Sequence, residues 1–215
     1  MKCFIYTGGM LVDKNNISFF PQNGDLIIAA DSGVENFAVC CEKRQPDIIC
    51  GDMDSGNLEQ MKSKYKDSEY IMLPCEKDDT DTSFAVKTAI KRGAAEIYII
   101  GGIGTRLDHT IANAMLLKYI NQAGAVGVAD NGKNVVYYVA NTSITINNSS
   151  KQKYISLIPL CDKISGVTLD GVKYPLDCAC LEMKNSYYSV SNEILSDKAT
   201  VSIIKGEALV VLSSD

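Results

Sequence analysis

Tryptophan is absent from the 215 residues, histidine occurs once, at position 109, and proline five times. No Cys-x-x-Cys pair occurs, and one histidine cannot complete a zinc set, so neither a structural zinc site nor a disulfide framework is expected. The eight cysteines (3, 40, 41, 50, 75, 161, 178 and 180) lie mostly within apolar runs and read as buried, reduced thiols. Cys178 and Cys180 fit that reading least well. No apolar stretch approaches the roughly 20 residues of a membrane span. The amino-terminal run Cys3-Phe4-Ile5-Tyr6 ends at Thr7-Gly8-Gly9, too short for a signal peptide. Positive charge is in deficit: 21 Lys and Arg against 26 Asp and Glu leave a net −5. That balance argues against a broad nucleic-acid surface. A cytoplasmic protein that binds neither membrane nor nucleic acid is expected.

Hydrophobic residues make up 46% and charged residues 22%, ordinary values for a globular chain. The pattern changes period part-way along. Residues 2–6, 26–30, 47–50, 70–73 and 96–100 read as apolar strands, with 125–130 adding a sixth. Residues 34–42, 58–66, 81–91 and 108–122 between them read as helices. In the last helix Ile111, Met115, Leu116 and Tyr119 form an apolar stripe, expected to face the core. Apolar strands alternating with helices imply a doubly wound, mainly parallel α/β sheet in residues 1–130. From residue 131 the helical period disappears. Short β-prone runs at 135–140, 143–146, 154–159, 166–169, 186–190, 200–204 and 208–212 follow, divided by turns such as Asp170-Gly171 and Lys205-Gly206. They imply an antiparallel sandwich or small barrel in residues 131–215.

Ligands of parallel α/β sheets bind outside the carboxyl ends of the strands, and four polar clusters fall there. Ala30-Asp31-Ser32-Gly33 ends the second strand and Gly51-Asp52-Met53-Asp54-Ser55 the third. Residues 76–81 (Glu-Lys-Asp-Asp-Thr-Asp) follow the fourth. Gly101-Gly102-Ile103-Gly104-Thr105-Arg106-Leu107-Asp108-His109 follows the fifth. Each alone has a plain explanation, since Asp and Thr are ordinary N-caps and glycine makes tight connections. Together they gather like charges on one rim. Asp52 and Asp54, two residues apart, point the same way from an extended chain. At about 5 Å and an effective dielectric near 20 their repulsion costs roughly 3 kcal/mol. Mg²⁺ is the natural counter-charge, because it takes one or two carboxylates with phosphate oxygens and water. The glycine-rich fifth loop, the helix after it and Arg106 suit a phosphate chain, although the glycine spacing fits neither common nucleotide fingerprint. Mg²⁺-nucleotide phosphate transfer uses all these parts.

The motifs "ADSG", "GDMDS", "KDDTD", "GGIGTRLDH" and, at 191–193, "SNE" resemble those of the thiamine pyrophosphokinases in order and spacing along nearly the whole chain. The resemblance implies an α/β catalytic domain that binds ATP and Mg²⁺, and a β domain that binds thiamine. The reaction it implies moves a pyrophosphoryl group from ATP to the hydroxyethyl oxygen of thiamine, leaving AMP. By motif, Asp52, Asp54 and Asp81 resemble Mg²⁺ ligands. Lys77, Asp78, Thr80, Arg106 and Asp108 resemble nucleotide and phosphate contacts, and Ser191 and Asn192 resemble thiamine-pocket residues. Asp31 belongs to a motif without a defined role. Asp52, Asp54, Asp78, Asp81, Arg106 and Asp108 form the expected catalytic set. The resemblance also implies homodimers whose active sites combine domains of two subunits.

Without tryptophan, an aromatic platform for thiamine must be Tyr or Phe, and Tyr187 and Tyr188 stand near the "SNE" motif. His109 is either a general base or a solvent-facing residue of a first helical turn; Asp78 or Asp81 is the alternative proton acceptor. Two other functions compete: a diphosphokinase acting on a pterin alcohol, and a nucleotide-binding regulatory module without turnover. The "SNE" motif favours thiamine over a pterin, and the number of acidic residues favours catalysis over binding alone.

Overall fold

The computed structural model describes residues 1–52, 58–74, 76, 78–104, 106–147, 152–185 and 189–215. The chain divides into two compact units, Met1–Gly132 and Lys133–Asp215. The first unit is a parallel sheet of β1 (Lys2–Tyr6), β2 (Leu26–Ala30), β3 (Ile48–Gly51), β4 (Glu69–Met72), β5 (Glu96–Ile100) and β6 (Val126–Asp130), in the spatial order β6-β5-β1-β2-β3-β4. Its helices are α1 (Gly33–Cys40), α2 (Leu58–Lys64), α3 (Asp81–Lys91) and α4 (Leu107–Gln122). Central strands covered on both faces need apolar side chains on both faces. Ile5, Ile28, Ile49, Ile97 and Ile99 are accordingly shut off from solvent.

Strand order reverses at β1, which pairs with β2 on one side and β5 on the other. Connections leave that point in opposite directions, opening a crevice at the carboxyl ends of β1 and β5. The loops there touch. A Cβ placed on Gly9 would lie 2.0 Å from the Gly101 carbonyl oxygen, so no larger residue fits. Gly101 itself has φ +76, a left-handed conformation that glycine adopts without strain.

α4 corrects one expectation. Its inward residues are Asn113, Leu117 and Ile120. The stripe expected in the core faces outward instead, with Ile111 53%, Met115 38% and Tyr119 42% exposed, joined by Leu107 at 70%; Leu116 is half-buried. Period alone identified the helix but not its buried face. A polar inward residue, Asn113, reversed the assignment.

At the end of β6 the buried Asp130 carboxylate accepts hydrogen bonds from Ser18 N (2.7 Å) and Gly132 N (2.8 Å). It pins the long β1–β2 connection, and burial raises its pKa.

The second unit has two antiparallel sheets, as the change of period implied. One holds β7 (Asn134–Ala140), β9 (Tyr154–Pro159), β12 (Ser189–Glu193) and β14 (Glu207–Ser213), in the order β12-β9-β14-β7. The other holds β8 (Ser143–Asn147), β10 (Lys163–Asp170), β11 (Leu176–Glu182) and β13 (Lys198–Lys205), in the order β11-β10-β13-β8. Alternate side chains such as Ile155, Leu157, Val167, Leu169, Val201 and Ile203 are buried, the two-residue period of a half-covered strand. β11 was not foreseen. Its register against β10 is broken by bulges, and Cys178 there has φ +47. The strand expected at 186–190 is observed as Ser189–Glu193, and 186–188 lie outside the described residues.

Among the described residues all cysteines are free. Cys3, Cys41 and Cys50 are buried, Cys40, Cys161 and Cys180 half-buried, and Cys178 exposed, so burial is less general than expected; Cys75 lies outside the described residues. Among the described residues no helix is long and apolar enough to cross a membrane.

Candidate active site

The crevice at the β1/β5 switch point holds a cleft of about 280 Å³. Four loops build it. The turn 7–10 follows β1, Asp31 and Ser32 follow β2, residues 80–82 open α3, and Gly101, Gly102, Gly104 and Arg106 lie between β5 and α4, whose first turn adds His109. A larger hollow of about 620 Å³ lies beside Cys40 and Arg44. There α1 ends and the chain turns towards the amino end of β3, away from the converging loops. Its guanidinium is spent on the carbonyls of Pro21 and Gln22.

Of the residues singled out by sequence, Asp31, Thr80, Asp81, Arg106 and His109 line the cleft. Asp31 sits at φ +51, an uncommon conformation for a residue with a side chain. Its N–H donates to Cys50 O at 2.8 Å, which brings it beside the end of β3. Asp52 follows Gly51 there and is half-buried. Thr80 is the N-cap of α3 and accepts from Ser83 N at 3.1 Å, so it is a structural cap as well as a cleft wall. Asp78 is exposed and does not line the cleft. Its neighbour Asp79 accepts from Lys87 Nζ at 2.6 and 2.7 Å, and that hydrogen bond holds its carboxyl below the usual range. Asp54 and Lys77 lie outside the described residues.

Arg106 occupies the N-cap position of α4, and its guanidinium donates to Asp108 Oδ2 at 2.7 Å. That hydrogen bond holds the Asp108 carboxyl below its ordinary pKa. Both side chains are about two-thirds exposed, so the pair is weak. An incoming phosphate can take the guanidinium from it.

The donor set fits a divalent cation. Asp31 and Asp81 offer hard carboxylate oxygens to one cleft, with Asp52 at the adjoining strand end. Among the described residues no three acidic, His or Cys side chains converge closely enough to hold an ion alone. An ion here needs further oxygens from a phosphate chain and water, which is how Mg²⁺ is usually bound.

In the second unit Ser191 is exposed at φ +55, and its N–H donates to Ser156 Oγ at 3.0 Å. Asn192 is 3% exposed. Its Oδ1 accepts from Tyr174 N at 3.0 Å and its Nδ2 donates to Tyr174 O at 2.7 Å. The carboxamide grips the backbone of Tyr174 on both sides, and Tyr174 itself is 66% exposed. Tyr174 thus joins the candidate aromatics, while Tyr187 and Tyr188 lie outside the described residues. Sequence reasoning missed it because 18 residues separate it from Asn192. It also missed the 7–10 turn, whose one signal was Gly8-Gly9 at the end of the first strand.

Two family models match the chain. One, described as thiamin pyrophosphokinase, catalytic domain, matches residues 20–126. The other, described as thiamin pyrophosphokinase, vitamin B1 binding domain, matches residues 141–206. A curated thiamine pyrophosphokinase of Bacillus subtilis is 29% identical over 167 residues, 77% of each chain. Among solved structures, a Bacillus subtilis thiamine pyrophosphokinase superposes with TM-score 0.86 at 25% identity, covering 100% of both chains. A Geobacillus thermodenitrificans thiamin pyrophosphokinase gives 0.84 at 26%, covering 100% of this chain and 98% of the other.

Proposed function

The chain belongs to the thiamin pyrophosphokinase family, and from that premise we infer that it is a thiamine pyrophosphokinase, transferring pyrophosphate from ATP to the hydroxyl of thiamine. The observation that carries this is the presence of both family domains on one chain, catalytic at 20–126 and vitamin B1 binding at 141–206. Nothing favours the pterin diphosphokinase or the regulatory module.

In the reaction the hydroxyethyl oxygen of thiamine attacks the β-phosphorus of ATP. The bond from that phosphorus to the α–β bridging oxygen breaks, AMP leaves with the bridging oxygen, and the alcohol loses its proton. In our reading Asp52, Asp54 and Asp81 hold Mg²⁺. When bound, the ion supplies neutralising charge to the polyphosphate and the leaving group. Lys77, Thr80, Arg106 and the α4 N-terminus hold the phosphate chain, and Arg106 exchanges Asp108 for a phosphate oxygen. Asp31 shapes the strand end beside Asp52. His109 takes the alcohol proton: it lines the cleft and Asp78 does not, while Asp81, which also lines it, is committed to the ion in this reading.

Thiamine is read by the second unit. Ser191 offers a hydroxyl, and Tyr174, held by Asn192, offers an exposed ring to the cationic thiazolium or the aminopyrimidine. A homodimer with active sites shared between subunits completes the reading. The outward apolar face of α4 supports it, since exposed apolar side chains gathered on one face favour association. The test is acceptor choice: with ATP and Mg²⁺, thiamine should turn over and a hydroxymethylpterin should not. Efficient pterin turnover would overturn the assignment.

A further inference from the structure

Five carbonyls of the two touching glycine loops, those of Thr7, Gly9, Gly102, Ile103 and Gly104, are tied to side chains. Asn36, on α1, donates from Nδ2 to Thr7 O at 2.6 Å and to Gly9 O at 2.8 Å. Asn113 donates to Gly102 O at 2.7 Å, Asn131 to Ile103 O at 3.1 Å, and Thr110 Oγ1 to Gly104 O at 3.2 Å. The N–H groups of Gly8, Gly9, Met10, Gly102 and Ile103, by contrast, donate to no acceptor among the described residues. Loops whose carbonyls are secured and whose N–H groups are unspent form a cradle for an anion. Asn36 bears on both loops: a Cβ on Gly101 would lie 2.8 Å from its Nδ2.

We propose that Asn36 is a positioning residue for the phosphate chain of the nucleoside triphosphate, holding the 7–10 turn so that its N–H groups serve the anion. This rests on the phosphate-transfer reading of the cleft. Asn36 touches no substrate atom; it acts through the backbone of Thr7 and Gly9. Its two hydrogen bonds go to carbonyls of a turn that lines the cleft. Their loss should therefore appear in nucleotide affinity and not in thiamine recognition.

The test uses the full chain as Asn36→Asp, Asn36→Ala and Asn36→Ser. Calorimetry with ATP and Mg²⁺, steady-state KM values for both substrates, and thermal melts are read on each. Asp replaces two donors by acceptors, Ala removes both, and Ser retains one. ATP affinity should fall about tenfold or more for Asp and Ala, with Ser between, as expected for the loss of two hydrogen bonds. KM for thiamine should stay within about twofold. Unchanged ATP affinity in folded variants overturns the proposal. So does an equal loss for both substrates, or failure of all three variants to fold, since Asn36 would then support the domain and not the cradle. The wild-type AMP assay separates the two readings. If wild-type protein makes no AMP from ATP and thiamine, the function fails, while the calorimetric comparison still decides the role of Asn36.

Discussion

Asn192→Ala removes two hydrogen bonds at once, those at 3.0 and 2.7 Å to the backbone of Tyr174. The loss is taken at the net value of a hydrogen bond, about 1 kcal/mol each. About 2 kcal/mol lowers the melting temperature of a chain this size by roughly 4–8 °C. A released Tyr174 ring also forfeits stacking worth about 1 kcal/mol, so KM for thiamine should rise about fivefold to tenfold while KM for ATP stays put. Asn192→Asp adds a sign test. It keeps the acceptor for Tyr174 N–H but sets a carboxylate oxygen against Tyr174 O. Burial and that facing carbonyl raise its folded pKa, so its ionised form destabilises the fold. The variant should therefore gain stability, relative to wild type, as pH falls through that raised pKa. Differential scanning fluorimetry across pH and thiamine titrations measure both effects. An Asn192→Ala protein that melts with wild type and keeps its thiamine KM refutes the role given to Tyr174.

Asp52→Asn and Asp81→Asn should each abolish most turnover, yet melt no lower than wild type without Mg²⁺, because like charges have been relieved; a markedly lower melt would make them structural. Chelation should abolish turnover and added Mg²⁺ should restore it, and full activity in excess chelator would contradict the metal assignment. If sites are shared, an Asp81→Asn chain mixed with a Tyr174→Ala chain and assayed at thiamine well below KM, where the weakened Tyr174→Ala sites add little, should rise after random exchange to about a quarter of wild-type activity or slightly more; no rise after verified exchange would place each site within one chain. Burial pushes the Cys40 thiol up to about 11, so at pH 8 only about one part in a thousand is thiolate. Iodoacetamide should then modify exposed Cys178 well before Cys40, as peptide mass spectrometry would show, and the reverse order would contradict the burial of Cys40.

The strands of the first unit were legible because Ile27, Ile28, Ile48, Ile49, Ile97 and Ile99 form short unbroken apolar runs, and such runs need cover on both faces. The four polar strand ends were legible for the same reason, since a strand's carboxyl end is fixed once its apolar run is. The buried face of α4 was not, because Asn113 is turned inward by its hydrogen bond to Gly102 O, a partner that a hydrophobic pattern cannot name. β11 was obscured by Asp177, Cys178 and Cys180 within a bulged strand. Asn36 and Tyr174 were hidden because their partners, Thr7, Gly9 and Asn192, are far away in sequence. Side chains that act on distant backbone leave no local period.

The most direct measurement is a ³¹P NMR time course of the protein with ATP, Mg²⁺ and thiamine. Attack at the β-phosphorus predicts AMP and thiamine diphosphate rising together in a one-to-one ratio as ATP disappears. ADP with thiamine monophosphate, or AMP formed without thiamine diphosphate, would contradict pyrophosphoryl transfer.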